Sequence, residues 1–265
     1  MPFTTSPDGT RLHYEVHGAG DPVLLIMGLG SNAYGWYRTI PWLAESHQAI
    51  AFDNRGVGRS DVPPGAYTIA DMAADAAAVV DAAGHERVHV VGASLGGMIA
   101  QRFAVAYPDR VRSLVLVCTT PGGRRNVRAS DEVMAGLVKG GEDPATVYRR
   151  NAWFLYGDET RTRHPERIEE DLDYRGKIPT LPAGYMGQLQ AAMQHDAWDD
   201  LPSIAARTLV VHGDADLLIP PANGRLLAER IPGAELVTIP GAGHMLQADA
   251  GDTVRDAILR FLSKE

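Results

Sequence analysis

Short runs of consecutive apolar residues recur along the chain, separated by longer stretches in which apolar positions repeat every three or four residues. Continuous apolar runs are typical of strands that helices cover on both faces of a parallel sheet. The alternation of the two patterns therefore indicates an α/β fold. The predicted strands lie at residues 11–17, 23–27, 49–53, 88–91, 114–118, 208–212 and 236–239.

The clearest helix is predicted over residues 68–83. Thr68 is a capping residue, Asp71 stands three positions later as in a capping box, and a glycine ends the pattern. The apolar positions of this stretch share one face, so Asp71 and Asp75 are expected to face water. Two further helices are predicted, an almost wholly apolar one at residues 95–107 and one at 253–262.

Residues 121–202 break the alternation, because they contain no convincing strand and are rich in charged residues, glycine and proline. Helices are predicted there at residues 130–139, 144–155 and 183–195. The segment also carries several aromatic and methionine side chains, so we predict that it is a helical insertion, the lid segment. It would cover a core domain formed by residues 1–120 and 203–265, with a mostly parallel sheet of about eight strands and helices on both faces.

Composition narrows the function classes. The chain has 265 residues, 45% hydrophobic and 22% charged, which suits a globular core, and a net charge of −8, which argues against nucleic-acid binding. The apolar runs are too short to cross a membrane. The first residues lack a secretory signal pattern, so we expect a cytoplasmic protein. Cys118 is the single cysteine and is expected to be a buried, inert thiol.

Gly92-Ala93-Ser94-Leu95-Gly96 is the first candidate for chemistry. This G-x-S-x-G pattern follows a predicted strand and opens a predicted apolar helix, the context in which it presents a nucleophilic serine on a tight turn. Side chains in place of the glycines would collide with neighbouring backbone. We therefore predict that Ser94 is a nucleophile.

A serine hydroxyl needs a general base, and the base needs a carboxylate to orient it. In folds of this kind the order along the chain is serine, acid, histidine. Asp214 and Asp216 both follow the strand at 208–212, and His244 follows the strand at 236–239. His212, Asp214 and Asp216 also form an H-x-D-x-D pattern, but a strand running into a turn explains it better than a metal site. We expect neither a metal nor a cofactor.

These motifs resemble those of the α/β-hydrolase superfamily, in the branch that contains small carboxylesterases and 3-oxoadipate enol-lactonases. The resemblance extends from about Thr10 to Phe261. It rests on residues 28–30, 52–60, 92–97, 213–220 and 241–244. It implies an α/β-hydrolase fold with Ser94 as nucleophile, Asp216 as acid and His244 as base. Asp216 is preferred to Asp214 because its spacing to Pro220 is similar to that in the family.

The resemblance also implies an oxyanion hole formed by the backbone N–H groups of Leu29 and Leu95. Many members carry His-Gly before the first of these residues, whereas this chain has Met27-Gly28. The support of this loop must therefore differ. Cofactor-free perhydrolases of the superfamily often have proline there, so Leu29-Gly30 makes that activity less favoured.

The predicted function is hydrolysis of small to medium apolar carboxylic esters or lactones through an acyl-enzyme on Ser94. The partner would be a small-molecule substrate, and the oligomeric state stays open. Alternatives are a ligand receptor with slow or no turnover on the same fold, or an acyltransferase. The substrate pocket is expected to draw on the lid segment, with candidates Trp153, Phe154, Met186, His195 and Trp198.

Overall fold

The apolar runs pair into one eight-stranded sheet in the computed structural model, which describes residues 2–138 and 143–264. The strand order is β1-β2-β4-β3-β5-β6-β7-β8. β2 is antiparallel to both of its neighbours, and all other pairs are parallel. The strands are β1 (Phe3–Thr5), β2 (Arg11–His17), β3 (Asp21–Ile26), β4 (His47–Phe52), β5 (Val88–Ala93), β6 (Val111–Val117), β7 (Arg207–Gly213) and β8 (Glu235–Ile239).

Helices occupy the connections between parallel strands, and five of them lie in the described part of the lid segment. The helix predicted at 130–139 includes Lys139, which lies outside the described residues. The last helix, α10, contains a kink at Ala250. The described helices are α1 (Ile40–Leu43), α2 (Ile69–Ala82), α3 (Leu95–Ala106), α4 (Asp131–Val138), α5 (Pro144–Leu155), α6 (Asp158–Arg163), α7 (Glu166–Gly176), α8 (Pro182–Met193), α9 (Ala222–Arg230) and α10 (Leu246–Leu262).

Both faces of the central strands are buried, which explains their continuous apolar sequences. Leu24 and Ile26 of β3 pack into a cluster with α2 and α3. Val23 and Leu25, which alternate with them, pack on the opposite face in a cluster that includes α10. Because successive side chains of a strand point to opposite faces, a strand covered on both faces must be apolar at every position. The predicted fold class is confirmed.

The start of α2 confirms one prediction and corrects another. Thr68 caps the helix and forms the predicted capping box with Asp71. Asp75 does not face water: its side chain is 1% exposed, and both of its oxygens accept hydrogen bonds of 2.6 Å from the guanidinium of Arg55. Burial raises the pKa of Asp75, while the contact with Arg55 acts in the opposite direction. The prediction was wrong because the partner of Asp75 lies on a different element.

Residues of the lid segment form α4 to α8 between β6 and β7. Within the described part of this segment the only extended pairing is an isolated bridge between Gly122 and Asp196. The division into core and lid domains stays a prediction. Across residues 2–138 and 143–264, the helices are too short or too polar to span a bilayer.

The buried Arg55–Asp75 pair generates a stability prediction. Replacing Arg55 by Met leaves the Asp75 carboxyl buried without its cation, and we expect the free energy of unfolding to fall by about 3–5 kcal/mol. Urea denaturation monitored by circular dichroism measures the change. The control is Arg112→Met, which breaks a 2.7 Å pair with the 62%-exposed Asp21 and should cost about 1 kcal/mol or less. Equal losses in the two variants would contradict the role assigned to burial.

Candidate functional site

Ser94 occupies the sharp turn between β5 and α3. Its φ of 57° and ψ of −119° lie in a region that residues with side chains rarely adopt. The turn is possible because α3 packs backbone against backbone on the sheet. A Cβ atom on Gly96 would lie 1.9 Å from the carbonyl oxygen of Ile26, and one on Gly92 would lie 2.3 Å from that of Gly96.

Hydrogen bonds from the neighbouring strand hold this turn. The N–H of Ser94 donates to the carbonyl of Val117 at 2.9 Å. The carbonyl of Ser94 accepts from the hydroxyl of Thr119 at 2.7 Å. The main chain of Ser94 is therefore fixed independently of its side chain, which remains partly exposed at the end of the sheet.

The loops after β7 and β8 are joined by backbone hydrogen bonds. Asp214 N–H donates to the Ile239 carbonyl at 3.1 Å, and Ala215 N–H donates to the Ala242 carbonyl at 3.0 Å. The same arrangement places His244 Nδ1 2.8 Å from Asp216 Oδ2. The structure thus brings His244 together with Asp216, the carboxylate preferred from the sequence.

Asp216 is buried, with hydrogen-bond partners on both of its carboxylate oxygens. Oδ1 accepts from the N–H groups of Leu218 and Ile219 at 2.9 and 2.8 Å, and Oδ2 faces His244. Burial raises the pKa of Asp216, but the charge and hydrogen bonds of His244 and His212 outweigh it and hold the pKa below its ordinary value. Asp216 is therefore ionised across the neutral range.

Asp214, the rival carboxylate, has a different role. It is exposed, and its Oδ1 accepts a hydrogen bond of 2.6 Å from the N–H of Gly241. This contact fastens the turn that precedes His244. Asp214 supports the shape of the loop, while Asp216 contacts the imidazole.

Gly28 brings the loop after β3 beside Ser94, since a Cβ atom on Gly28 would lie 3.1 Å from Ser94 Cβ. Among the described residues, neither the Leu29 nor the Leu95 N–H donates to a protein acceptor. Within the same residues, no hydrogen bond joins Ser94 Oγ to His244. The structure thus places two unengaged N–H groups on the two segments that meet at Ser94.

One group of potential metal ligands occurs among the described residues. Ligand atoms of Cys118, His212 and Asp216 lie within 4.8 Å of one another, and all three residues are buried. His212 Nε2 lies 2.8 Å from the carbonyl of Ile219, and Asp216 already contacts His244. A metal would have to displace these contacts. Burial raises the pKa of Cys118 well above its usual value, so its thiol stays protonated.

An open groove of about 330 Å³ lies between the lid segment and the loop that carries Asp216. Trp153, Val133 and Leu217 contribute apolar surface to it, and Asp216 lines it as well. Five residues of the lid segment are pocket candidates. Of these five, only Trp153 is among the described residues that line this groove.

The other four candidates lie in different surroundings. Phe154 is buried and packs edge-on against Trp153. Met186 is 52% exposed on α8. The guanidinium groups of Arg125 and Arg230 lie over the ring of Trp198, 5.7 and 5.1 Å from its centroid.

His195, the fifth candidate, is buried with its Nε2 unpartnered. Burial lowers its pKa to about 4, so its imidazole is neutral near pH 7. Its carbonyl accepts a hydrogen bond from the N–H of Gly123 at 2.9 Å. The pocket assignments of these four residues remain predictions.

Asp249 is a residue of the site that the sequence did not reveal. One of its oxygens, Oδ2, accepts from the N–H of Gly243 at 2.7 Å and from the N–H of Gly157 at 2.8 Å. Gly243 precedes His244, and Gly157 belongs to the lid segment. The local sequence offers no signal for this contact, because the predicted helix begins at residue 253, whereas α10 begins at Leu246 and has Asp249 in its first turn.

The chain is similar to known proteins over most of its length. Residues 21–250 match the family model described as "alpha/beta hydrolase fold". A relative from Azorhizobium caulinodans, named "Putative carbamate hydrolase RutD", is 33% identical over 262 residues that cover 98% of both chains. The structure of a thermophilic esterase from Thermogutta terrifontis is 30% identical, with a TM-score of 0.83 over 99% of this chain and 98% of that one. An enol-lactonase from Burkholderia xenovorans, 24% identical, shares the fold with a TM-score of 0.86 over 99% of this chain and all of that one.

The ionised Asp216 generates a prediction about stability and pH. A carboxyl whose pKa is lowered by folding stabilises the protein above its unfolded pKa, near 3.9 for aspartate, and this stabilisation is lost as the pH falls toward the folded value. The wild type should therefore be more stable than Asp216→Asn at pH 7, with a difference that shrinks below about pH 4. Urea unfolding between pH 3 and 7 measures it.

Asp214→Asn is the matched control, since Asp214 is exposed and the asparagine oxygen can still accept from Gly241. The free energy of unfolding of Asp214→Asn should differ little from that of the wild type across the whole pH range. A difference for Asp216→Asn that does not change with pH would contradict the electrostatic account.

Proposed function

The chain belongs to the alpha/beta hydrolase family, and on that premise we propose that it is a serine hydrolase that cleaves carboxylic esters or lactones. The resemblance predicted from the sequence is confirmed at the level of family and fold. Two observations support the proposal: Ser94 lies on a strained turn after β5, and the Asp216–His244 pair is formed by the loops after β7 and β8, which end at the same edge of the sheet.

In the proposed reaction, Ser94 Oγ attacks the carbonyl carbon of the substrate and its proton passes to His244 Nε2. Asp216 holds the proton on His244 Nδ1, which leaves Nε2 free to accept one. His244 then donates the proton to the leaving oxygen as the C–O bond breaks. A water molecule attacks the acyl-enzyme by the same route and regenerates Ser94.

This mechanism requires His244 Nε2 to come within hydrogen-bond distance of Ser94 Oγ. Such contacts are often long in free enzymes and shorten in the substrate complex. The backbone N–H groups of Leu29 and Leu95 are proposed to stabilise the oxyanion that forms on the substrate, since both are unengaged beside Ser94.

The groove beside Asp216 supports a substrate with an apolar acyl or alcohol part. Its apolar surface comes from Trp153, Val133 and Leu217, and no lysine or arginine is among its described lining residues. Carbamate hydrolysis is a second candidate, favoured by the name of the Azorhizobium relative and its match across nearly the whole chain. Both reactions use the same attack on a carbonyl, so substrate panels must contain both classes.

Ser94→Ala tests the nucleophile directly. We expect turnover of p-nitrophenyl acetate to fall by about 10³-fold or more, with the thermal unfolding midpoint little changed, because the backbone of Ser94 is held by other groups. Ser130→Ala, at another serine beside the groove, should keep most of its activity. Labelling by a fluorophosphonate should occur on Ser94 and disappear in Ser94→Ala. Residual turnover above a few per cent would overturn the assignment.

Trp153→Ala tests the groove as a determinant of substrate choice. Removing the indole should lower kcat/KM for p-nitrophenyl hexanoate about 10-fold relative to acetate, because only the longer acyl chain reaches that surface. Trp42→Ala is the control, since Trp42 is a tryptophan of α1, partly buried like Trp153, that is neither a pocket candidate nor among the described residues that line the groove. If Trp153→Ala lowers kcat/KM for the acetate and the hexanoate by the same factor, the groove does not bind the acyl chain.

A further inference from the structure

Both polar groups of Gly30 are bound by side chains of the lid segment. The N–H of Gly30 donates to Gln188 Oε1 at 2.9 Å. The carbonyl of Gly30 accepts from the hydroxyl of Thr180 at 2.8 Å. Gly30 directly follows Leu29, one of the two proposed oxyanion donors.

Gln188 also reaches a second loop of the core. Its Nε2 donates to the carbonyl of Arg55 at 2.9 Å, and its side chain is fully buried. The two contacts fix the amide in one orientation. The N–H of Gly30 can only donate, so it needs the amide oxygen, and the carbonyl of Arg55 can only accept, so it needs the amide NH2 group. Arg55 is itself immobilised by Asp75. Gln188 therefore links the loop after β3 to a rigid part of the core.

Close packing leaves α8 little freedom to shift against these loops. A Cβ atom on Gly184 would lie 1.7 Å from the carbonyl oxygen of Gly56, and one on Gly30 would lie 2.8 Å from the ring of Tyr185. There is no room for a side chain at either glycine, so α8 packs closely on the loops that carry Gly56 and Gly30. The amide of Gln188 is thus presented to Gly30 by a firmly seated helix.

Among the described residues, hydrogen bonds from the core reach the loop after β3 at its two ends, while the side chain of Leu29 packs against the core cluster. Asn54 Nδ2 donates to the carbonyl of Met27, and Asp53 Oδ1 accepts from the N–H of Ala33 at 2.7 Å. Between these anchors, contacts from the lid segment engage Gly30. The peptide unit is planar, so the contacts of the Gly30 N–H also fix the carbonyl of Leu29. The preceding peptide carries the Leu29 N–H, and its Gly28 carbonyl accepts from the N–H of Ser31 at 3.2 Å. With Gly30 held, the φ and ψ of Leu29 are bounded on both sides.

We propose that Gln188 is a positioning residue that holds the Leu29 N–H in the orientation needed for oxyanion stabilisation, with Thr180 completing the hold on Gly30. The inference rests on the proposed function. It makes α8 of the lid segment part of the catalytic apparatus, not only a cover for the substrate.

Gln188→Met tests this role, because it removes both hydrogen bonds while keeping a side chain of similar length. We expect kcat for p-nitrophenyl acetate to fall about 10- to 100-fold, less than the loss of an oxyanion donor itself, with KM changed less than about 3-fold. Affinity for an alkylboronic acid, which adds to Ser94 as a tetrahedral anion, should fall by the same factor as kcat/KM. A merely structural role would not produce this match.

Two controls separate positioning from general damage. Gln190→Met changes an exposed glutamine two residues along the same helix and should leave both kcat and boronate affinity unchanged. Thr180→Val removes the second contact and should lower kcat, whereas Thr180→Ser keeps the hydroxyl and should restore it. Thr180 is only partly buried, so this pair gives a result even if Gln188→Met fails to fold.

Unchanged kcat and boronate affinity in Gln188→Met, or losses confined to KM and the thermal midpoint, would overturn the inference while leaving the proposed function intact. The same holds if Thr180→Val and Thr180→Ser behave alike. If the wild type shows no turnover that depends on Ser94 and binds no boronate, the proposed function fails and the inference with it.

Discussion

The first turn of α3 rests directly on the backbone of the sheet, and the geometry around Ser94 depends on this contact. It exists because Gly92 and Gly96 carry no side chain where the helix meets the ends of β5 and β3. The approach forces Ser94 into a conformation that is unfavourable for a residue with a side chain. The surrounding sheet compensates that local cost, because it holds the Ser94 backbone through Val117 and Thr119. A serine hydroxyl clear of the sheet is the result.

The lid segment is bound to the core at two loops, the one after β3 and the one after β8. On one side, Gln188 and Thr180 hold Gly30. On the other, Asp249 accepts hydrogen bonds from both Gly157 and Gly243, next to His244. The carbonyl of Leu155 also accepts from the N–H of Met245 at 2.9 Å. The loops of the proposed oxyanion hole and of the proposed base are therefore each completed by contacts from one inserted segment.

The parts of this architecture that sequence could predict are those with a local or periodic signal. The central strands followed from their apolar runs, and the start of α2 from Thr68 and Asp71. β1 was missed because it is three residues long. α6 and α7 were missed because their sequences are dominated by charged residues, which reduces the apolar repeat.

The errors and omissions around the site have a different cause, since they involve pairs far apart in sequence. Asp75 was assigned to solvent because its partner Arg55 is 20 residues away. The sequence showed that the loop at Met27 needed another support, but the contact between Gly30 and Gln188 spans 158 residues. The pairing of His244 with Asp216 was predictable only because motif and chain order together specify it.

The single carboxylate of Asp249 has a consequence for how this chain can vary in length. Because one oxygen binds both Gly157 and Gly243, residue 157 is a fixed point on the core, as are residues 180 and 188. Residues added or deleted before 157 do not change the spacing between residues 157, 180 and 188, so all three can keep their contacts with the core. A change of length between 157 and 180 must instead be absorbed by α6 and α7, and one within α8 would rotate Gln188 away from Gly30. A change of length in the lid segment is therefore accommodated most easily before residue 157.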